Sequence, residues 1–465
     1  MQTMFDAATY TQRRAALMAR MQTGLLLFPG NLDSPMNFAG NVYPFWQDRT
    51  FLYYFGLNEP GLAAVIDVEA GRSILFGDDA TVDDVMWTGP VPPLAEQARA
   101  VGVTETAPAA GLETVVQEAL RQKRPVHFLP PYRMDVALKM EAWLGIRASR
   151  LRDHTSKPLI QAVVAQRSVK STDEVAEIEQ AIGISRDMYA LAMQRIRPGV
   201  VEREVVGAIE ACATAQGSTI SFPIIFSIRG ETLHNHRHDN RMQAGDLALL
   251  DSGVTSPRGY ASDLTRTFPV NGRFTDRQRA VYQTVLDAQE AAIAALRPGI
   301  LYRDVHLTAS RVLAEGLKTL GLLKGDVDEA VAAGAHAICF PHGLGHMMGL
   351  DVHDMENLGE DYVGYTPDLS RSTQFGLAHL RLAKALEPGY VVTVEPGLYF
   401  IPALIDQWQA EKRHADFINY AAFEAFRGFG GVRIEDDVLV TADGYRVLGP
   451  PVPKTVADVE AGMQG

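Results

Sequence analysis

The amino-acid sequence predicts an α+β protein of two units, the second assembled from two similar halves. Three observations carry this expectation. The 465 residues are enough for two or three domains with ample core. Residues 1–155 alternate helical and strand patterns. A short motif then recurs 100 residues apart: Arg197-Pro198-Gly199-Val200-Val201-Glu202-Arg203-Glu204-Val205 is answered by Arg297-Pro298-Gly299-Ile300-Leu301-Tyr302-Arg303-Asp304-Val305. Each copy ends one amphipathic helix and begins another, so duplicated halves related by a pseudo-twofold are expected.

In the first unit (1–155), a helix over Ala7–Met21 leads to an apolar strand at Leu25–Phe28, then to the run Phe51–Tyr54. Leu62–Val68 and Ser73–Phe76 flank a Glu-Ala-Gly-Arg turn and read as a hairpin. Helices near 112–122 and 134–144 bracket a strand at Val126–Leu129. Nothing here forms a catalytic constellation. Residues 151–170 read as the connection to the second unit (171–465).

That unit opens on a capping box, Ser171 with Glu174, before a helix carrying Val175, Ile178, Ile182 and Met188 on one face. A second box, Thr275 with Gln278, starts the helix before the second Arg-Pro-Gly. Between them, Leu247–Val254 and Tyr260–Phe268 flank Ser256-Pro257-Arg258-Gly259, a hairpin signal. A turn centred on Pro257 puts Asp251 opposite Asp263, with Cβ atoms about 5 Å apart. Carboxylates that close in apolar strands repel and are poorly solvated, so a cation between them is expected.

Three further stretches put charge where core residues belong. Phe340-Pro341-His342-Gly343-Leu344-Gly345-His346 runs on to Asp351-Val352-His353-Asp354. Glu395 interrupts the strand Val391–Phe400, whose uncharged β-prone neighbours offer it no polar face. Glu435 interrupts Gly430–Val440, where Asp436 and Asp437 follow and at least one acid of the three should face outward. Four carboxylates (Asp251, Asp263, Glu395, Glu435) with one imidazole suit a hard or borderline cation such as Mn²⁺. Their charge matches two divalent ions, and paired ions can activate a bridging water and polarise a carbonyl.

The composition excludes several alternatives. A net charge of −13 argues against nucleic acid or an anionic membrane as partner. Leu25–Phe28 is too short for a signal core or a membrane span. With only Cys212 and Cys339, disulfides are not a structural device, and a reducing cytoplasm is expected.

These motifs together resemble the pita-bread metallopeptidases, a family that includes methionine aminopeptidase, aminopeptidase P and prolidase. The resemblance covers nearly the whole chain. It implies a creatinase-like α/β amino-terminal domain, around Tyr53-Tyr54-Phe55-Gly56-Leu57-Asn58-Glu59-Pro60, and a pita-bread carboxy-terminal domain. The family's five metal-ligand positions fall on Asp251, Asp263, His346, Glu395 and Glu435, implying two divalent ions, Mn²⁺ first with Zn²⁺ or Co²⁺ as alternatives. The segments at 268–274, 351–354 and 432–437 are similar to the proline-specific branch. The insert Leu404–Gly431 is similar to prolidases, and Arg381 matches their clamp for a dipeptide carboxylate.

The resemblance implies hydrolysis of Xaa-Pro dipeptides. Release of the first residue from longer Xaa-Pro peptides is the alternative, and a non-enzymatic adaptor the second. Glu395 would shuttle the proton, His353 would stabilise the oxyanion, His234, Arg381 and Arg433 would position the proline end, and His342 would line the pocket. Relatives suggest a homodimer or homotetramer. The chain departs from the family pattern at Phe222, where a Tyr near the metals is common, and over residues 355–378. Trp87 loosely matches an amino-domain Trp that reaches a neighbouring subunit's site, the alternative being an ordinary packed Trp.

Overall fold

Alternating apolar runs and turn residues build the first unit around one mixed sheet. The computed structural model describes residues 5–464. The chain divides into one unit ending at Arg167 and another beginning at Ser168. The boundary thus lies inside the stretch expected to be a connection. That stretch is not plain linker, because it forms a 3₁₀ turn over Ala148–His154 and a helix over Lys157–Ser168.

In the first unit Leu25–Pro29 is paired antiparallel with Ala63–Asp67 and parallel with Val126–Phe128. Ala63–Asp67 makes the expected hairpin with Arg72–Phe76, and Glu105–Ala107 adds the far edge. Helices Gly111–Arg121 and Met134–Leu144 pack Leu112, Val116, Val136 and Met140 on this sheet. The aromatic run at 51–54 lies in a buried helix, Arg49–Phe55, ended by Gly56 in the left-handed region. Trp87 sits on a short helix, Val82–Thr88, with no buried residue, and is 79% exposed. It is therefore not an ordinary packed Trp.

The second unit carries the duplication into its hydrogen bonds. Helix Thr172–Arg195 precedes Glu202–Ala215, and Asp276–Ala295 precedes Tyr302–Thr319. Both capping boxes form, at Ser171 and Thr275. After each Arg-Pro the glycine N–H finds a matching carbonyl, Gly199 to Met242 and Gly299 to Leu386, each at 2.8 Å. The step from Met242 to Leu386 is 144 residues. The same step takes the strand start Leu247 to Val391, and Asp251 to Glu395. The return strands correspond as well, Leu264–Pro269 with Asp436–Val440. Each half therefore offers one carboxylate just before its return strand, Asp263 or Glu435, and one at the end of its outgoing strand. The halves form two three-stranded sheets joined by a bridge between Thr265 and Glu435.

One expected register is wrong by two residues. Asp251 pairs with Thr265, not Asp263, because the turn centres on Arg258, with Ser256 N–H bonded to Tyr260 O. A shift of two preserves the face, so Asp251 and Asp263 remain diagonal neighbours on one side of the ribbon. The expected strand Gly430–Val440 is two strands, Gly431–Arg433 and Asp436–Val440, with Glu435 at the break. Glu395 likewise sits between Val391–Val394 and Gly397–Tyr399.

Candidate metal centre

Strand ends and one glycine-rich segment deliver the site. The segment at 343–348 lies along Val391–Val394, with Thr393 N–H bonded to His346 O at 3.0 Å and Glu395 N–H to Leu344 O at 2.8 Å. The approach is so close that a Cβ on Gly345 would sit 2.2 Å from Thr393 O. Only glycine permits it. His346 is thereby held over the ends of the acidic strands.

Asp263, His346 and Glu435 each present a ligand atom, all within 4.8 Å of one another, and all three side chains are buried. His346 Nε2 is 3.4 Å from Asp263 and 3.8 Å from Glu395. Its Nδ1 lies 3.0 Å from Met347 O, which can only accept, so Nδ1 carries the proton and Nε2 a lone pair. Burial lowers the imidazole pKa to about 4, so the ring is neutral at pH 7. A lone pair facing carboxylates at this range is repulsive unless a cation lies between them. Asp251 Oδ1 and Asp263 Oδ1 are buried without a hydrogen-bond partner.

The carboxyls carry the same message. Burial pushes Glu395 up to about 8, the Asp263 and Asp251 charges adding to it against the pull of Arg433. Burial first, and then neighbouring acid, raises Asp263 and Glu435 well above the carboxylate range. Three buried acids and the half-buried Glu395, with unpartnered oxygens on Asp251 and Asp263, fit divalent cations as a donor set.

The expectation that one of Glu435, Asp436 and Asp437 faces outward is not met, since all three are buried. Each has internal partners. Asp436 pairs with Arg266 at 2.6 Å and Lys454 at 2.9 Å. Asp437 accepts the Asp263 N–H at 3.0 Å, and Glu435 accepts from Thr265 Oγ1 at 2.6 Å.

The other expected residues meet in one cavity of about 570 Å³, lined among others by His234, His342, His353, Arg381 and Arg433. His353 packs against His346, ring centroids 4.2 Å apart and planes tilted by 60°. Burial lowers His234, and burial followed by the neighbouring His346 lowers His353. His342 donates from Nδ1 to Gly343 O at 2.8 Å and accepts from the Tyr399 hydroxyl at Nε2, 2.9 Å away. Arg433 donates from Nη1 to Tyr399 at 2.8 Å, from Nε to Thr265 Oγ1 at 3.1 Å, and from Nη2 to Asp251 Oδ2. Its guanidinium thus orients an acid rather than reaching freely into the cavity. Phe222 lines the cavity and packs with Ile225, Leu249 and Tyr399.

Tyr399, Thr265 and Glu356 are parts of the site that the sequence reading missed. Tyr399 lay in a stretch read only as strand, and Thr265 is one β-prone residue among many. Glu356 falls in a segment with no recognisable pattern.

Residues 176–442 match the family model described as "Metallopeptidase family M24", more than half of the chain. The chain belongs to metallopeptidase family M24. It is therefore a hydrolase of the metallopeptidase class, and membership implies a divalent metal at the acidic cluster. Residues 10–127 match the aminopeptidase P amino-terminal domain. Among similar proteins, the human Xaa-Pro dipeptidase is 34% identical over 433 residues, covering 90% of this chain and 85% of its own. A probable Xaa-Pro aminopeptidase of Fusarium vanettenii is 32% identical, over 94% of this chain and 91% of its own. The structure of Zn-substituted Escherichia coli aminopeptidase P with product superposes with a TM-score of 0.80 at 30% identity, covering 99% of this chain and 98% of the other. The fold is thus aminopeptidase P-like, an amino-terminal domain followed by an M24 pita-bread domain.

Proposed function

We propose that this M24 enzyme hydrolyses the bond before proline in Xaa-Pro dipeptides. The observation that carries the reading is the pairing, in one cavity, of the unsatisfied acid–imidazole cluster with the guanidinium of Arg381. Asp251, Asp263, His346, Glu395 and Glu435 would hold two divalent cations, Mn²⁺ in preference to Zn²⁺ or Co²⁺ because oxygen donors outnumber nitrogen four to one. When bound, such a pair supplies Lewis acidity that polarises a peptide carbonyl and makes water nucleophilic at neutral pH.

The side chains do the rest. Glu395, at the edge of the acid cluster and lining the cavity, can take a proton from water and give it up again. It would deliver that proton to the proline nitrogen, a tertiary amide nitrogen that leaves only when protonated. His353 faces the oxygen that gains charge. Arg381 binds the dipeptide's free carboxylate, so length is read at the proline end. His234 and His342 shape that end, while Arg433 acts at one remove by holding Asp251 and Tyr399.

The aminopeptidase reading also has support, since the chain matches an aminopeptidase P structure over nearly all its length. A non-enzymatic adaptor is disfavoured, because the acid–imidazole cluster is intact. Among the described residues no helix is long and apolar enough to cross a membrane. The charge of −13 disfavours nucleic acid and anionic membranes as partners, the two cysteines suit a reducing cytoplasm, and the family resemblance suggests a homodimer or homotetramer. An Mn²⁺-supplemented assay on Ala-Pro, Ala-Pro-Ala and Ala-Ala tests the function. Cleavage of Ala-Pro well above the others is expected. Preference for Ala-Pro-Ala would transfer the assignment to an aminopeptidase, and equal turnover of Ala-Ala would end the proline reading.

A further inference from the structure

Two cavity groups assigned to opposite ends of the substrate are tied to one acid. His353 Nδ1 donates to Glu356 Oε2 at 2.5 Å, and Arg381 Nε donates to the same oxygen at 3.3 Å. Glu356 lies on a 3₁₀ turn, Glu356–Leu358, entered through Met355 in the left-handed region at φ 63°. A non-glycine residue there is uncommon and strained, and it persists only where surrounding contacts enforce it. Behind this contact the charges alternate. Arg381 Nε also lies 3.7 Å from Glu360, which pairs with Arg371 at 2.7 Å, and Arg371 in turn donates to the carbonyls of Ala378 and Leu380. The backbone entering Arg381 is thus braced by Arg371.

We infer that Glu356 is a positioning residue that sets the aim of His353 and Arg381 together. The inference rests on the roles proposed above for those two groups. A guanidinium can grip a carboxylate through its Nε/Nη side or through its two Nη groups. With Nε–H given to Glu356, the Nη end is the one left to meet a substrate. An imidazole whose Nδ1–H is held by a carboxylate presents Nε2 in a fixed direction, and that nitrogen donates to a developing oxyanion in the imidazolium form, which the same carboxylate favours. One acid therefore links the carboxylate clamp to the reacting carbonyl. Glu356 stays ionised while it does so, since the His353 hydrogen bond outweighs burial and brings its carboxyl down to about 2. A dipeptide seated on Arg381 then meets a His353 already oriented by the same oxygen.

The test uses Mn²⁺-loaded full-length protein with alanyl-proline and alanyl-prolinamide, which lacks the carboxylate. Arg381→Ala should raise KM for alanyl-proline by about a hundredfold and leave alanyl-prolinamide little changed. Glu356→Gln keeps the reach but removes the charge. It should lower kcat on both substrates by about tenfold through His353, and raise KM about tenfold for alanyl-proline alone. In the Arg381→Ala background, Glu356→Gln should add nothing to KM while still lowering kcat. A merely structural role would shift the melting temperature and both substrates alike, without this split. If Arg381→Ala fails to separate the substrates, the clamp reading falls. If Arg381→Ala separates them and Glu356→Gln matches wild type, or adds fully to KM in the double variant, the clamp stands and the positioning role falls.

Discussion

The two halves of the M24 unit share a scaffold and divide the work unequally. In the first half, helix Glu202–Ala215 returns to strand Leu247–Ser252 after a short excursion. In the second, the path from helix Tyr302–Thr319 to strand Val391–Val394 is far longer, and it holds His342, His346, His353, Glu356 and Arg381. Duplication supplies a symmetric set of acids, and the asymmetric insertion supplies most of the other polar side chains that line the cavity, with His234 added by the first half. Even the set of acids is reciprocal. Thr265 of the first half hydrogen-bonds Glu435 of the second, while Asp437, its counterpart, accepts the backbone N–H of Asp263.

The sharpest way to break this comparison is at the matched pair Asp251 and Glu395. On the roles proposed for Glu395, we expect Glu395→Gln to lower turnover by about a thousandfold or more, because it would remove both a ligand and the proton carrier. Asp251→Asn should act mainly on metal affinity, with much of the turnover recovered at millimolar Mn²⁺. Steady-state kinetics across a metal titration reads both. If excess metal rescues the two variants equally, the halves are chemically equivalent and Glu395 has no separate proton role.

A smaller effect tests the reciprocity. Thr265→Val keeps the β-branched shape and removes the hydroxyl that serves Glu435 and Arg433. Metal affinity should fall by about tenfold to a hundredfold, as for other groups that orient a ligand, with the fold intact. Titration of chelated protein with Mn²⁺, followed by calorimetry, reads the change. Affinity equal to wild type would show that the backbone bridge between Thr265 and Glu435 suffices.

This contact also marks how far the sequence could be read. Acids in apolar strands stand out because burial without a partner is costly, so Asp251, Asp263, Glu395 and Glu435 were all visible. Helix starts were visible through the side chains that cap them, at Ser171 and Thr275. The hairpin register was not, since Ser256-Pro257-Arg258-Gly259 admits more than one centre. The error did little harm because a two-residue slip keeps the face. Thr265, Tyr399 and Glu356 were hidden for a different reason. A hydroxyl in a strand, or an acid in an irregular loop, has no local pattern, and its role exists only once distant segments meet. Asp436 and Asp437 misled in the opposite sense, their partners Arg266 and the Asp263 N–H being far away in sequence.

The smallest expected effect concerns stability rather than catalysis, and again sets one half against the other. The 100-residue step that relates the Arg-Pro-Gly motifs takes Val206, a buried helix residue, to His306. His306 stacks on Phe340, which belongs to the glycine–histidine segment, and its Nδ1 is buried without a hydrogen-bond partner. Burial lowers its pKa to about 3, with His336 and His342 adding to the effect. The folded state therefore resists a proton that the unfolded chain accepts below pH 6.5. Stability is complete above that value and falls as pH drops towards 4, where this one group would cost on the order of 3 kcal/mol. His336, lowered by burial to about 4, acts in the same direction. Putting the first half's residue into the second, His306→Val, should cost about 1 kcal/mol at pH 7.5 from imperfect packing and then flatten the acid limb of the stability curve. Denaturant melts at pH 7.5, 6, 5 and 4 read the two slopes. Parallel curves for wild type and variant would mean that acid sensitivity arises elsewhere, and that the histidine in the second half is tolerated no differently from the valine in the first.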